Sequence, residues 1–208
     1  MVSVLQLDEA RIVYTEAQAV VPDNEIIIKA RLYRKIGESY ALQRRPDQEL
    51  VHFELAIDAL GDESDKELLL WQQEWLEIHL ARVWSFYWLN QVANIRQTLE
   101  KIKTPCEQSG TLRQQAIWYG RWMLYLTRAQ QYSVLPNQFW YIEKALELSH
   151  QSKDYKLIAF HLGQSGMTYL YAHYLEKAET RLLEAIDFST KIGDIQHQIV
   201  CLQFLNST

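Results

Sequence analysis

The stretch Tyr33-Arg34-Lys35-Ile36-Gly37-Glu38-Ser39-Tyr40 decides how this chain is read. Tyr33, Gly37 and Tyr40 stand at intervals of four and three, so they share one stripe of an α-helix. Phe53 and Ala56 follow sixteen and nineteen residues after the Gly. The same spacing returns in Leu162, Gly166 and Tyr169, then Leu182 and Ala185. A residue without a side chain lets a second helix press close, and the Tyr fills the gap one turn later. The later bulky-x-x-Ala pair supplies the inner stripe of that second helix. The polar, Pro-bearing link Gln43-Arg44-Arg45-Pro46-Asp47 reads as a short helix–helix turn. Each unit is expected to be an antiparallel helical hairpin.

Looser copies lie on either side. Ala10, Tyr14, Ala17 and Pro22 fit a second helix with its closing Pro. Leu80, Ala81, Trp84, Ala93 and Pro105 fit a whole unit in which Ala replaces the Gly. Tyr119, Gly120 and Met123 fit a first helix, with Ala145 in its partner and an extra stretch, Gln130 to Asn137, between them. The pattern predicts a half unit at 5–22, units at 26–61, 68–105, 111–150 and 155–190, and the start of another at 196–208. Together they make one domain over 1–208. Its close-approach positions are Gly37, Ala81, Gly120 and Gly166. Three residues depart from the pattern: Glu49 replaces a small residue, Ser165 a Leu and Gln97 an aromatic.

This pattern resembles the tetratricopeptide repeat, whose signature is aromatic-x2-Leu-Gly-x2-Tyr followed by Ala, an aromatic, Ala and Pro. The resemblance implies an all-α protein, a right-handed α-solenoid of about four full hairpins with partial ones at the ends. The steps between close-approach positions exceed the roughly 34 residues of the standard repeat. That longer period is similar to the arrays of large bacterial signalling and transcriptional regulators, where a nucleotide-binding or cyclase module sits alongside. The chain opens on a second-helix pattern, Leu7 to Ala19, and closes on a first-helix pattern, Gln198 to Leu205. Its last apolar run, Ile199 to Leu205, lacks the polar cap expected of a solenoid end. The expectation is a segment of a longer protein, or self-association through uncapped ends.

In such arrays the first helices line a concave face. The resemblance points residues three before, one after and five after each close-approach position inward. They are Arg34, Glu38 and Leu42; Ile78, Arg82 and Phe86; Ile117, Arg121 and Tyr125; and Gly163, Met167 and Tyr171. Arg82 and Arg121 would share one column with Arg34 nearby, and Phe86, Tyr125 and Tyr171 would form another. An arginine–aromatic groove suits a peptide carrying a carboxylate and an apolar anchor. The alternative is that each Arg pairs with a neighbouring Glu and keeps the face soluble.

Composition narrows the classes. With 7 Gly and 4 Pro the chain lacks the turns of an all-β sandwich or barrel. A net charge of −5 disfavours nucleic acid as a partner. Cys106 and Cys201 suggest free thiols in a reducing compartment, although one disulfide stays open. No apolar run is long enough to span a bilayer, and Met1 to Glu9 lacks the basic start of a secretory signal, so the expected address is cytoplasmic.

Catalytic patterns are missing: no phosphate loop, HExxH, CxxC or Gly-x-Ser-x-Gly. The histidines show no ligand spacing, and His161 and His173 lie over three turns apart. Glu176 and Glu179, like Asp62, Glu63 and Asp65, read as helix-start and turn charges. The expectation is a non-enzyme without metal or cofactor. Seven Trp, twelve Tyr and six Phe read first as packing between helices, with some left to anchor a partner. The leading function is therefore a protein–protein interaction module. The alternative is a ligand- or partner-sensing regulatory segment of a larger signalling NTPase, cyclase or transcriptional regulator.

Overall fold

The computed structural model describes residues 4–61 and 68–207. Asp62, Glu63 and Asp65, expected as turn charges, lie outside the described residues. Among those described, the chain is all-α. The helices are α1 (Val4–Val20), α2 (Ile26–Ala41), α3 (Pro46–Leu60), α4 (Leu68–Trp88), α5 (Val92–Ser109), α6 (Leu112–Ala129), α7 (Phe139–Ser152), α8 (Tyr155–Tyr171), α9 (Leu175–Ile192) and α10 (Ile195–Leu205). A 3-10 turn, Pro136–Gln138, precedes α7. The chain divides into two compact units, Val2–Gly110 and Thr111–Thr208.

Within Val2–Gly110 each helix packs on the next, and α2 also meets α4. Within Thr111–Thr208 the same holds from α6 to α10, with α6 meeting α8 and α8 meeting α10. Neighbours along the chain plus alternate first helices make the contact pattern of stacked hairpins.

The sequence explains the helix starts. Pro46 opens α3 at a first-turn position, where its missing N–H costs nothing. Thr111 and Gln114 form a reciprocal capping box on α6. Asp154 and Asp194 accept from the backbone N–H of Leu157 and His197, capping α8 and α10.

One turn recurs in all four hairpins. Arg44, Asn90, Gln131 and His173 each carry a positive φ. Each donates its N–H to the carbonyl three residues back: Ala41, Tyr87, Arg128 and Leu170. The residue after each, Arg45, Gln91, Tyr132 and Tyr174, donates to the carbonyl five back: Tyr40, Phe86, Thr127 and Tyr169. The backbone itself therefore sets the register between units.

That register corrects two close-approach positions. Gly37 and Gly166 stand three before the acceptors Tyr40 and Tyr169. A methyl on Gly37 would come within 2.8 Å of Phe53, and one on Gly166 within 2.6 Å of Leu182. Each therefore meets the second helix of its own hairpin, as the spacing predicts. In the second unit the matching position is Val83, not Ala81. Sixteen and nineteen residues on stand Leu99 and Ile102, both fully buried. Gln97 is exposed, and its departure from the pattern came from a register two residues off. In the third unit the matching position is Leu124; Gly120 faces α8 instead.

Other boundaries shift. The unit ending at Pro105 runs on to Ser109, because α5 continues through the proline. Pro105 lies inside the helix, where it lacks an N–H to give the turn behind it and its ring crowds the carbonyl four residues back. The extra stretch after α6 holds Val134, buried against Met123, Ile142 and Ala145.

Candidate functional site

In Val2–Gly110, the expected groove residues are largely structural. Arg34 is buried, with its guanidinium donating to Glu74 on α4 and to Glu38 on its own helix. Arg31 and Lys35 complete the set through Glu74 and Glu38. Burial alone would lower the Arg34 pKa, but the Glu74 and Glu38 carboxylates outweigh it and hold the guanidinium firmly charged. Burial pushes Glu38 upward, and Arg34 and Lys35 more than reverse this, leaving its carboxyl below the usual range. Ile78 is fully buried in the core with Ile27, Ala30, Phe53, Ala56 and Leu60, so it cannot line a groove. Phe86 is buried too, beneath the Arg82 guanidinium at 5.4 Å. Arg82 donates to Glu54, the solubilising pair that was the alternative reading. Leu42 is exposed.

These corrections share a cause. The turn register makes Arg34, Arg121 and Gly163 equivalent, and each meets the following first helix. Arg34 meets Glu74 on α4, Arg121 meets Phe160 on α8, and Gly163 faces His197 and Cys201 on α10. The position three before close approach is a helix–helix contact, not open surface. The same register brings Trp84 and Trp88 to the positions given to Arg82 and Phe86. Trp84 stacks on Tyr87 at 5.5 Å, and Trp88, 52% exposed, lies edge-on to both, with the Arg44 guanidinium 6.0 Å from its ring.

In Thr111–Thr208 the structure brings two expected residues, Ile117 and Arg121, into one cleft between α6 and α8. Arg113, Gly120, Leu157, Phe160 and His161 complete it, enclosing about 180 Å³. Arg121 lies over the Phe160 ring at 5.9 Å, and Arg113 donates to Asp154 at 3.1 Å. The absence of a side chain at Gly120 lets the helices close: a methyl there would come within 2.5 Å of His161 Nε2. Gln164 donates its amide to the Gly120 carbonyl at 2.7 Å, tying the two helices together. Burial, with the Arg121 charge second, lowers the His161 pKa to about 3, so the ring is neutral near pH 7. Met167, Tyr125 and Tyr171 are half-buried. Tyr125 sits edge-on to Trp122, and Tyr171 meets Tyr132 and Phe204.

The residues that sequence reading missed are Arg113, Leu157, Phe160 and His161. For the three on α8 the signal was present: 157, 160, 161 and 164 fall at helical spacing on one face of that helix.

Nucleophilic chemistry finds no support in the thiols. Cys106 and Cys201 are both free and buried. Burial raises them to about 12 and about 11. His197 lies 3.5 Å from Cys201, but its Nε2 is 2.9 Å from the Ala159 carbonyl, to which it donates. A ring nitrogen holding that proton cannot take the thiol's. No group of three or more metal-ligating side chains occurs among the described residues, and no helix there is long and apolar enough to cross a membrane.

The fold and cleft define a class, an all-α protein of consecutively packed hairpins with an arginine-lined cleft between first helices. No protein-family model matches the chain, and no curated protein matches it.

Proposed function

We propose that this chain is a tetratricopeptide-like, right-handed α-solenoid that binds a protein or peptide and is not itself an enzyme. The α6–α8 cleft carries the reading: it joins two guanidinium groups to an apolar wall of Ile117, Leu157 and Phe160. Arginine and aromatic side chains set together are the commonest anchors of binding energy. The recognised segment offers a carboxylate beside an apolar side chain. Membrane and nucleic acid have no part in the reading, and the free thiols agree with a reducing, cytoplasmic setting. Panning a random peptide library against the full chain tests it. Selected peptides should share that acidic–apolar signature, and Arg121→Gln should lose them while circular dichroism shows the variant still folded. Equal recovery by the variant would sink the proposal.

The cleft's size favours a second reading. About 180 Å³ is below the roughly 300–1,000 Å³ of drug-sized ligand sites, and suits one small group. On that reading the chain senses a ligand as the regulatory segment of a larger signalling NTPase, cyclase or transcriptional regulator.

A further inference from the structure

We infer that this chain associates head to tail: the outer face of α10 on one copy packs against α1 and the start of α2 on a second copy. The contact uses none of the residues of the α6–α8 cleft.

Position relative to the N-cap decides what each side of a first helix meets. The first helices α2, α6, α8 and α10 follow the N-caps Glu25, Thr111, Asp154 and Asp194. Nine residues after the cap stand Arg34, Gly120 and Gly163, and each meets the next first helix. Arg34 bonds Glu74 on α4, Gly120 abuts His161 and Gln164 on α8, and Gly163 abuts His197 and Cys201 on α10. On α8 and α10 these receiving residues stand three, seven or ten after the cap. Eight and twelve after the cap, the helix meets the second helix of its own hairpin: Leu162 shares a core with Leu182, and Gly166 abuts it.

On α10 both sides are open. Ile199, five after its cap, is 51% exposed, whereas Ala30, Ala116 and Ala159 at the same position are fully buried. Leu202, eight after, is 42% exposed, whereas Leu162 is 3%. No Asp, Glu, Lys or Arg occurs from Ile195 to Leu205. A solvent-facing helix side normally carries charge, and depletion of charge marks the centre of an interface.

The same chain holds what α10 lacks, in the right order. One side of α1 is taken by α2: Leu7 is buried, and Arg11 donates to Ser39. The adjoining stripe, Ala10, Val13, Ala17 and Val20, has the seven-residue recurrence of the buried stripe of α9, Ala178, Leu182, Ala185 and Ser189. Yet Val13 and Val20 are exposed. On α2 the receiving positions are also accessible: Ile28, three after the cap, is exposed, and Leu32, seven after, is half-buried. A second copy therefore presents α1 where α10 needs its second helix, and α2 where it needs the next first helix. The order α10, α1, α2 across two copies repeats the order α8, α9, α10 within one. Such a heterologous contact leaves another α10 and another α1 open, so association runs on past the dimer.

Sedimentation equilibrium of the full chain tests this. The average mass should climb above 24.6 kDa as concentration rises through the micromolar range. Ile199→Glu with Leu202→Glu, and separately Val13→Glu with Val20→Glu, should each weaken association by about tenfold or more. All four residues are exposed, so helicity by circular dichroism should not change. Leu202→Gln should weaken association in the same direction without adding charge. An equimolar mixture of the two double variants separates head-to-tail pairing from any other. Each keeps the face the other has lost, so the mixture should form one-to-one dimers that grow no further. A wild-type chain that stays monomeric into the low hundreds of micromolar would pass the α10 face to another protein's helix and overturn the inference. An α1 variant that associates like the wild type would mean that α10 pairs with α10, and would overturn it too, as would a mixture that stays monomeric. Peptide capture through Arg121 reads a different face, so either proposal can fail alone.

Discussion

Arg34 Nε on α2 lies 2.6 Å from Glu74 Oε1 on α4, with side chains only 7% and 2% exposed. Two charges from successive first helices are thus buried against each other. A surface position would tolerate either change, whereas a buried ion left alone has lost its hydration and its partner. Glu74→Ala is expected to cost about 3–5 kcal/mol, and Arg34→Met with Glu74→Leu to recover most of that. Urea unfolding checks both. A loss of less than about 1 kcal/mol for Glu74→Ala would return the pair to the ordinary surface class.

Gly166→Ala places a methyl 2.6 Å from Leu182 Cγ and 3.1 Å from the Leu182 backbone nitrogen. The side chain can yield but the backbone cannot, so overpacking should cost about 1–3 kcal/mol. Gly37→Ala, against Phe53 and the Glu49 carbonyl, should behave alike. Denaturant melts that leave both variants unchanged would show that the hairpins do not close on these glycines.

How much of this was legible beforehand follows from chemistry at single positions. Gly37 and Gly166 announced their hairpins because tight contact leaves a clear mark, a missing side chain. Val83 left none: a buried valine looks like any other, so the sequence pattern settled on nearby Ala81. Gly120 was read correctly as a close contact, but its neighbour is α8. One-dimensional spacing shows that a helix is approached there without showing by which helix. The Arg34–Glu74 pair joins residues forty apart and has no periodic signature. The cleft was half legible: the repeat pattern aimed Ile117 and Arg121 of α6 inward, but in α8 it aimed Gly163, Met167 and Tyr171 and passed over Leu157, Phe160 and His161.

Acid should weaken the fold before any carboxylate titrates. Burial lowers His79 and His161 to about 3, while an unfolded histidine titrates near 6.5. Between those limits the unfolded chain holds more protons. The stabilisation is therefore complete above about pH 6.5 and drains away as pH falls toward 3, at up to about 1.4 kcal/mol per pH unit for each ring. Melting temperatures from pH 7.5 to 5 should decline, and His79→Gln should flatten the slope. A flat wild-type profile contradicts this.

Neither thiol should react in the native state. Cys106 and Cys201 are 1% exposed and their thiolates are strongly disfavoured. A chromogenic disulfide reagent at pH 8 should label neither within the time it labels both in urea. Rapid labelling of Cys201 would mean that α10 opens readily from α8.

Gln164 grips the main chain of α6 at Gly120, not a side chain. Most substitutions within α6 leave that carbonyl in place, but any side chain at Gly120 would collide with His161 and Gln164 and force the helices apart. Over generations α6 is free to vary its outward residues, while positions 120 and 164 together keep the two helices in step.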